Sequence, residues 1–217
     1  AVGGFFVFGR LMTDIRTIEN ANTSQIAQWL ESRLDSALSA KDGPVIITVP
    51  GGSTPFPIIE QLLLANLDWS RLVVWPGDDR IVPEDHEASN TGKLRALFEP
   101  VGAEVMTLTV MERVPHFDLA WLGMGADGHI ASLFPNTDPK LEEDRRIIRL
   151  TPDPLPPEAP FDRISLTLPA LLNSDEIIFV IRGEDKRQVF DEAVGQKNDL
   201  PVARLLSGAK QPVTCFT

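Results

Sequence analysis

An imidazole and a carboxylate two residues apart on a glycine-rich turn are the groups of this chain best suited to chemistry. They are His129 and Asp127, within Leu122-Gly123-Met124-Gly125-Ala126-Asp127-Gly128-His129-Ile130-Ala131-Ser132-Leu133-Phe134-Pro135. A neutral imidazole takes a proton from water near neutral pH, which a lone carboxylate does poorly. Asp127 can hold the ring's tautomer or help place the water. A plainer reading of the same residues has Asp127 capping a short helix and His129 packing in its first turn. Gly123, Gly125 and Gly128 also fit the G-x-G-x-x-G spacing of a dinucleotide-binding turn, and three features exclude it. Asp127 would face a pyrophosphate, Pro135 leaves at most seven residues for the following helix, and several strands precede the motif. His86 and His116 stand in less marked surroundings.

Three other stretches could hold an anion. Gly51-Gly52-Ser53-Thr54-Pro55 follows a strand and opens a helix, where free N–H groups favour negative charge, with Thr54 as N-cap. It lacks the Gly-Lys-Ser/Thr ending of a nucleotide P-loop, and a tight turn without ligand is the competing reading. In Trp75-Pro76-Gly77-Asp78-Asp79-Arg80, Arg80 is either locked in an internal salt bridge or held ready for a phosphate dianion. In Arg182-Gly183-Glu184-Asp185-Lys186-Arg187, Lys186 sits in a first helical turn, against the dipole preference for acids there. On its own it reads as a solvated lysine, and so does Arg163, which lies between a proline-rich loop and a strand.

Composition removes several classes of function. With 20 basic against 31 acidic residues the net charge is -11, and no Lys/Arg-rich tract offers a footprint for nucleic acid. An anionic ligand must be held by local positive groups against the overall field. The single cysteine, Cys215, cannot form an intrachain disulfide, lies outside every motif, and gives no sign of an oxidising compartment. No His/Cys cluster has metal-ligand spacing, so no metal or cofactor is expected, and neither Ser53 nor Ser132 sits in a nucleophile elbow, which argues against a covalent mechanism. Apolar runs such as residues 5–8 and 177–181 are far shorter than the roughly 20 residues of a membrane span. No basic stretch precedes residue 5, so the expectation is a cytoplasmic protein, monomeric by default, with no membrane or nucleic-acid partner.

The elements that must position these groups follow from periodicity. Asn22-Thr23-Ser24 is a cap signal, and Ile26, Leu30, Leu34, Ala37 and Leu38 follow at helical spacing. Residues 45–49 form a β-branched run suited to a strand buried on both faces. A helix carrying Ile58, Ile59, Leu62 and Leu63 comes next, then a strand at 72–75 and a helix at 89–98. Strands are expected at 105–110 and 118–122, and the stretch before Asn20 has no firm period. Residues 151–162 hold five prolines (152, 154, 156, 157 and 160) and read as an extended loop. Order returns at 164–168, with a strand at 176–182 and a helix at 184–194. The alternation predicts one domain over residues 1–217, an α/β sandwich around a mostly parallel sheet with ligands at the strands' carboxyl ends.

Taken together, the motifs resemble the 6-phosphogluconolactonases. Gly51-Gly52-Ser53-Thr54-Pro55, Gly77-Asp78-Asp79-Arg80 with Ser89-Asn90, and the stretch from Gly123 through Asp127-Gly128-His129 to Pro135 occur in that family's order and spacing, and Arg163-Ile164-Ser165-Leu166-Thr167 and Gly183-Glu184-Asp185-Lys186 resemble its later motifs. The glucosamine-6-phosphate deaminases are similar but continue differently after His129-Ile130-Ala131. The resemblance implies the three-layer α/β sandwich shared by these deaminases, ribose-5-phosphate isomerases and coenzyme A transferases. It further implies hydrolysis of 6-phospho-D-glucono-1,5-lactone, the second step of the oxidative pentose phosphate route. On that basis His129 is the expected general base, oriented by Asp127, and amides of the glycine-rich turns are candidate oxyanion donors. Gly51, Gly52, Ser53, Arg80, Gly128, Lys186 and, less centrally, Arg163 would bind the sugar phosphate. The chain departs from the family at Asp79, where glutamate is usual, at Pro50, and in an ending, Cys215-Phe216-Thr217, without tryptophan.

Overall fold

Val45–Val49 is β-branched and buried except for the half-buried Ile46, and it takes a central place in a seven-stranded sheet. The computed structural model describes residues 14–157 and 159–217; the apolar run at residues 5–8 lies outside them. In chain order the elements are β1 (Ile15–Ile18), α1 (Thr23–Ala40), β2 (Val45–Val49), α2 (Pro55–Leu62), β3 (Leu72–Pro76), β4 (Asp78–Arg80), α3 (Asn90–Phe98) and β5 (Glu104–Val105). They continue as β6 (Leu119–Leu122), β7 (Ile147–Leu150), β8 (Arg163–Leu166), α4 (Leu168–Leu171), β9 (Ile177–Val180), α5 (Glu184–Val194), α6 (Pro201–Gly208) and β10 (Val213–Phe216). The main sheet runs β1-β10-β9-β6-β2-β3-β5 with every neighbouring pair parallel.

Two apolar cores lie on its two faces, which makes the three layers. Val45, Ile47 and Val49 point to one, with Ile26, Leu30 and Leu34 of α1, Ile58 and Ile59 of α2 and Phe98 of α3. Ile46 points to the other, with Phe190 of α5 and Val202 and Leu205 of α6. Each fully buried aliphatic side chain contributes about 1.5–3 kcal/mol. A reciprocal cap between Asn22 and Gln25 closes the start of α1.

A second sheet, β4-β8-β7, is wholly antiparallel and packs against the α5–α6 side, contributing Ile147, Ile164 and Leu166 to that core. The chain enters it through a single residue. Gly77 donates its N–H to the Val49 carbonyl of the main sheet and accepts from the Leu166 N–H of the second.

Several expectations need correction. The strand at 105–110 is confined to Glu104–Val105: Met106 donates one last bond to Val74, and Val110 and Met111 are exposed with nothing to pair against. The order at 164–168 divides into β8 and α4, with Pro169 in the helix's first turn. No helix follows Asp127; residues 124–133 form turns and isolated bridges. Thr54 precedes Pro55 but its side chain makes no capping bond. Among the described residues no helix is long and apolar enough to cross a membrane.

Candidate active site

The carboxyl ends of β2, β3, β6 and β9 open onto one cavity of about 360 Å³. Gly51, Gly52, Ser53, Arg80, His129, Arg163 and Lys186 all line it, together with Asp78, Asn90, Ser132, Phe134 and Arg182. Ligands of open α/β sheets lie at such strand ends because the loops there diverge.

After β6 the chain turns so tightly that His129 and Asp127 fold back over Gly125. A Cβ on Gly125 would stand 2.2 Å from the His129 ring and 2.6 Å from the Asp127 carboxylate, so a side chain there would expel both. His129 Nδ1 lies 2.6 Å from Asp127 Oδ1, and the His129 N–H donates to the same oxygen at 3.2 Å. Burial pushes the Asp127 carboxyl up, but the His129 hydrogen bond and charge outweigh it and hold the group below its usual range. In the neutral imidazole, a carboxylate on Nδ1 places the proton there and leaves the Nε2 lone pair free. Phe134 covers the ring, with centroids 4.7 Å apart. Asp127 itself stands behind His129 rather than on the cavity wall. Gly128 is also off the wall: its N–H donates to Gly125 O and its carbonyl accepts from Val202.

Of the two readings of Arg80, the internal salt bridge does not form among the described residues. Asp79 is buried and turned to the start of α3, where its carboxylate accepts from the N–H groups of Arg80, Asn90 and Thr91 and from Ser89 Oγ. Among the described residues the Arg80 guanidinium donates only to the Ala88 carbonyl, at 2.9 Å, and its Nε is buried without a partner. In the β4–β8 register Arg80 stands opposite Arg163. Like charges facing each other across a ladder are unfavourable unless an anion lies between them. Burial, and then Arg80, lower the Arg163 pKa. Arg163 is nearly enclosed, and two of its nitrogens bind the Phe161 and Ala159 carbonyls at the end of the proline-rich loop. Lys186, half-buried at the start of α5, has no partner among the described residues.

The amides of Gly51, Gly52 and Ser53 have no acceptor among the described residues and remain available to a ligand. Those of Gly125 and Gly128 are bonded within their own turn and cannot serve as oxyanion donors. His86 packs on Phe161 and His116 pairs with Asp175; neither lines the cavity.

Reading by motif passed over Arg182, Asp78 and Ser132 as cavity residues. Arg182 closes the β9 side while donating to the Ala21 carbonyl at 2.7 Å. Asp78 lies two residues before Arg80, hence on the same strand face, a spacing that could have flagged it. Burial raises the Asp78 carboxyl above its ordinary range, against the Ser132 hydrogen bond and the Arg80 charge.

The Glucosamine-6-phosphate isomerases/6-phosphogluconolactonase family model matches residues 18–111 and 101–214, nearly all of the described chain. The chain belongs to this family. Two of its relatives are named 6-phosphogluconolactonase: one from Helicobacter pylori is 30% identical over 96% of this chain and 98% of its own. One from Neisseria meningitidis is 31% identical over 91% and 95%. Within the same family, a crystal structure of a 6-phosphogluconolactonase from Shewanella baltica superposes with a TM-score of 0.77, at 27% identity, covering 94% of this chain and 97% of that one.

Proposed function

We propose that the cavity hydrolyses 6-phospho-D-glucono-1,5-lactone to 6-phospho-D-gluconate, with His129 as general base. One observation carries the assignment: a His129–Asp127 pair shares a cavity with two facing arginines that form no ion pair among the described residues. The relatives' names agree with it.

The phosphate dianion lies against Arg80, with Arg163, Lys186 and the free amides of Gly51, Gly52 and Ser53 completing its shell. That end of the cavity fixes the lactone carbonyl near His129. Nε2 removes a proton from water, and the oxygen adds to C1 to give a tetrahedral oxyanion. Asp127 stabilises the imidazolium that results. Collapse of the intermediate breaks the C1–ring oxygen bond, and the imidazolium returns its proton to the departing oxygen. Water is thereby consumed, the ring opens as a carboxylic acid, and the base is regenerated.

The test is lactone hydrolysis near pH 7, followed as proton release and corrected for the spontaneous rate. Ammonia formed from glucosamine 6-phosphate, with no lactone hydrolysis above background, would assign the site to the deaminase chemistry instead.

A further inference from the structure

Ser132 is almost fully buried, and both of its polar groups reach the second sheet. Its hydroxyl donates to Asp78 Oδ2 and its N–H donates to Ser165 Oγ at 3.2 Å. Asp78 and Ser165 are directly paired across β4 and β8. The next pair on the same face, two residues along, is Arg80 and Arg163. One rung of the small sheet therefore grips the loop that carries His129, and the following rung carries the two arginines. The step between them is roughly 6.8 Å of antiparallel strand. Asn90, donating to the Asp78 carbonyl at 2.9 Å, fixes the gripping rung to the start of α3.

We infer that Ser132, held between Asp78 and Ser165, is a positioning residue that sets the distance between the base and the phosphate-binding arginines. The inference rests on the assignment of His129 as base and Arg80 as phosphate contact. Without the tie, the His129 loop meets the second sheet through the apolar packing of Ile130 and Leu133 beside Ile164 and Leu166 and through the longer chain path into β7, with no hydrogen bond to the Asp78–Ser165 rung. A substrate anchored by its phosphate would then present C1 to a base that no longer stands at a fixed distance. Small misplacements of that kind lower the chemical step more than binding.

The tie predicts a particular kinetic pattern. Ser132→Ala should lower kcat by about tenfold, the worth of one hydrogen bond to a carboxylate, while KM for the phosphorylated lactone stays within about twofold of wild type. Ser132→Thr, which keeps the hydroxyl, should recover most of the loss. Ser132 and Arg80 share no hydrogen bond, yet their effects should be coupled. In an Arg80→Ala background the phosphate anchor is weakened, nothing remains to be aligned, and Ser132→Ala should cost no more than about twofold.

Losses that multiply independently in the two backgrounds would overturn the inference. So would a KM rise that matches the fall in kcat, or the absence of any loss. Should Ser132→Ala fail to fold, Ser165→Ala cuts the other end of the tie and carries the same cycle. An inactive wild type would overturn the functional assignment and this inference together. An active wild type with additive variants overturns the inference alone.

Discussion

At the scale of single residues, two carboxylates near the cavity, Asp78 on its wall and Asp127 behind His129, are driven in opposite directions. Asp127 is held ionised by His129, whereas Asp78 is pushed towards its protonated form by burial. The first belongs to the proposed chemistry: with His129 as base, His129→Asn should fold normally and lose about 10²–10⁴ in kcat, as removal of a general base does. Near-wild-type turnover above the uncatalysed rate would exclude His129 as base. The second is a matter of stability. Because Asp78 binds its proton more tightly folded than unfolded, the stability it lends is complete below the ordinary carboxylate range and is lost as pH rises through the shifted value. Asp78→Asn, which cannot ionise, should therefore melt higher than wild type at pH 7, with the gap narrowing towards pH 4. A gap that widens on acidification would contradict that sign.

Among the elements, β4 and β8 set two arginines face to face, a cost that a bound anion would relieve. Arg80→Ala should leave the Tm of the free protein unchanged or raise it slightly. With saturating 6-phosphogluconate the order should reverse, because a contact worth about 1.5–3 kcal/mol is then missing from the complex. The same variant should weaken capture of the phosphorylated lactone by roughly tenfold and hardly affect plain gluconolactone. Equal ligand-induced shifts in both proteins would remove Arg80 from the phosphate shell.

These elements were unevenly legible in the sequence. β2, α1 and α5 announce themselves because β-branched runs and 3.6-residue spacing persist over whole elements. β1 shows no alternation because it is an edge strand with Arg16, Thr17 and Ile18 all exposed. β10 is four buried residues, Val-Thr-Cys-Phe, too short for a period. β4 carries no strand signal because Asp78-Asp79-Arg80 is all charge; its strand character comes from β8, contributed from more than eighty residues away. For the site, glycine turns and the Asp127–His129 spacing are local and could be read. The arginine pair and the Ser132 tie are products of register, which no local pattern encodes.

For the molecule as a whole, the site works against its own protein. A net charge of -11 repels a phosphorylated substrate at long range, while attraction begins only inside the cavity. Sodium chloride screens the first more than the second, since exposed charges are damped beyond a Debye length of about 10 Å at 0.1 M and partly buried ones much less. Between low salt and about 0.1 M, kcat/KM for the phosphorylated lactone should hold steady or rise. A steep fall would mean that the surface steers the substrate in, contrary to its charge.

Gly77 has a bearing on how the molecule breathes. Its N–H belongs to the ladder of the main sheet and its carbonyl to that of the second, so neither can fray at this point without disturbing the other. In hydrogen exchange the amides of Gly77 and Leu166 should open as one cooperative unit, with matching protection. A phosphate bound on β4 and β8 would slow both together, although it touches neither. The cavity floor would then stiffen across the seam between the two sheets on each binding event and loosen again on product release.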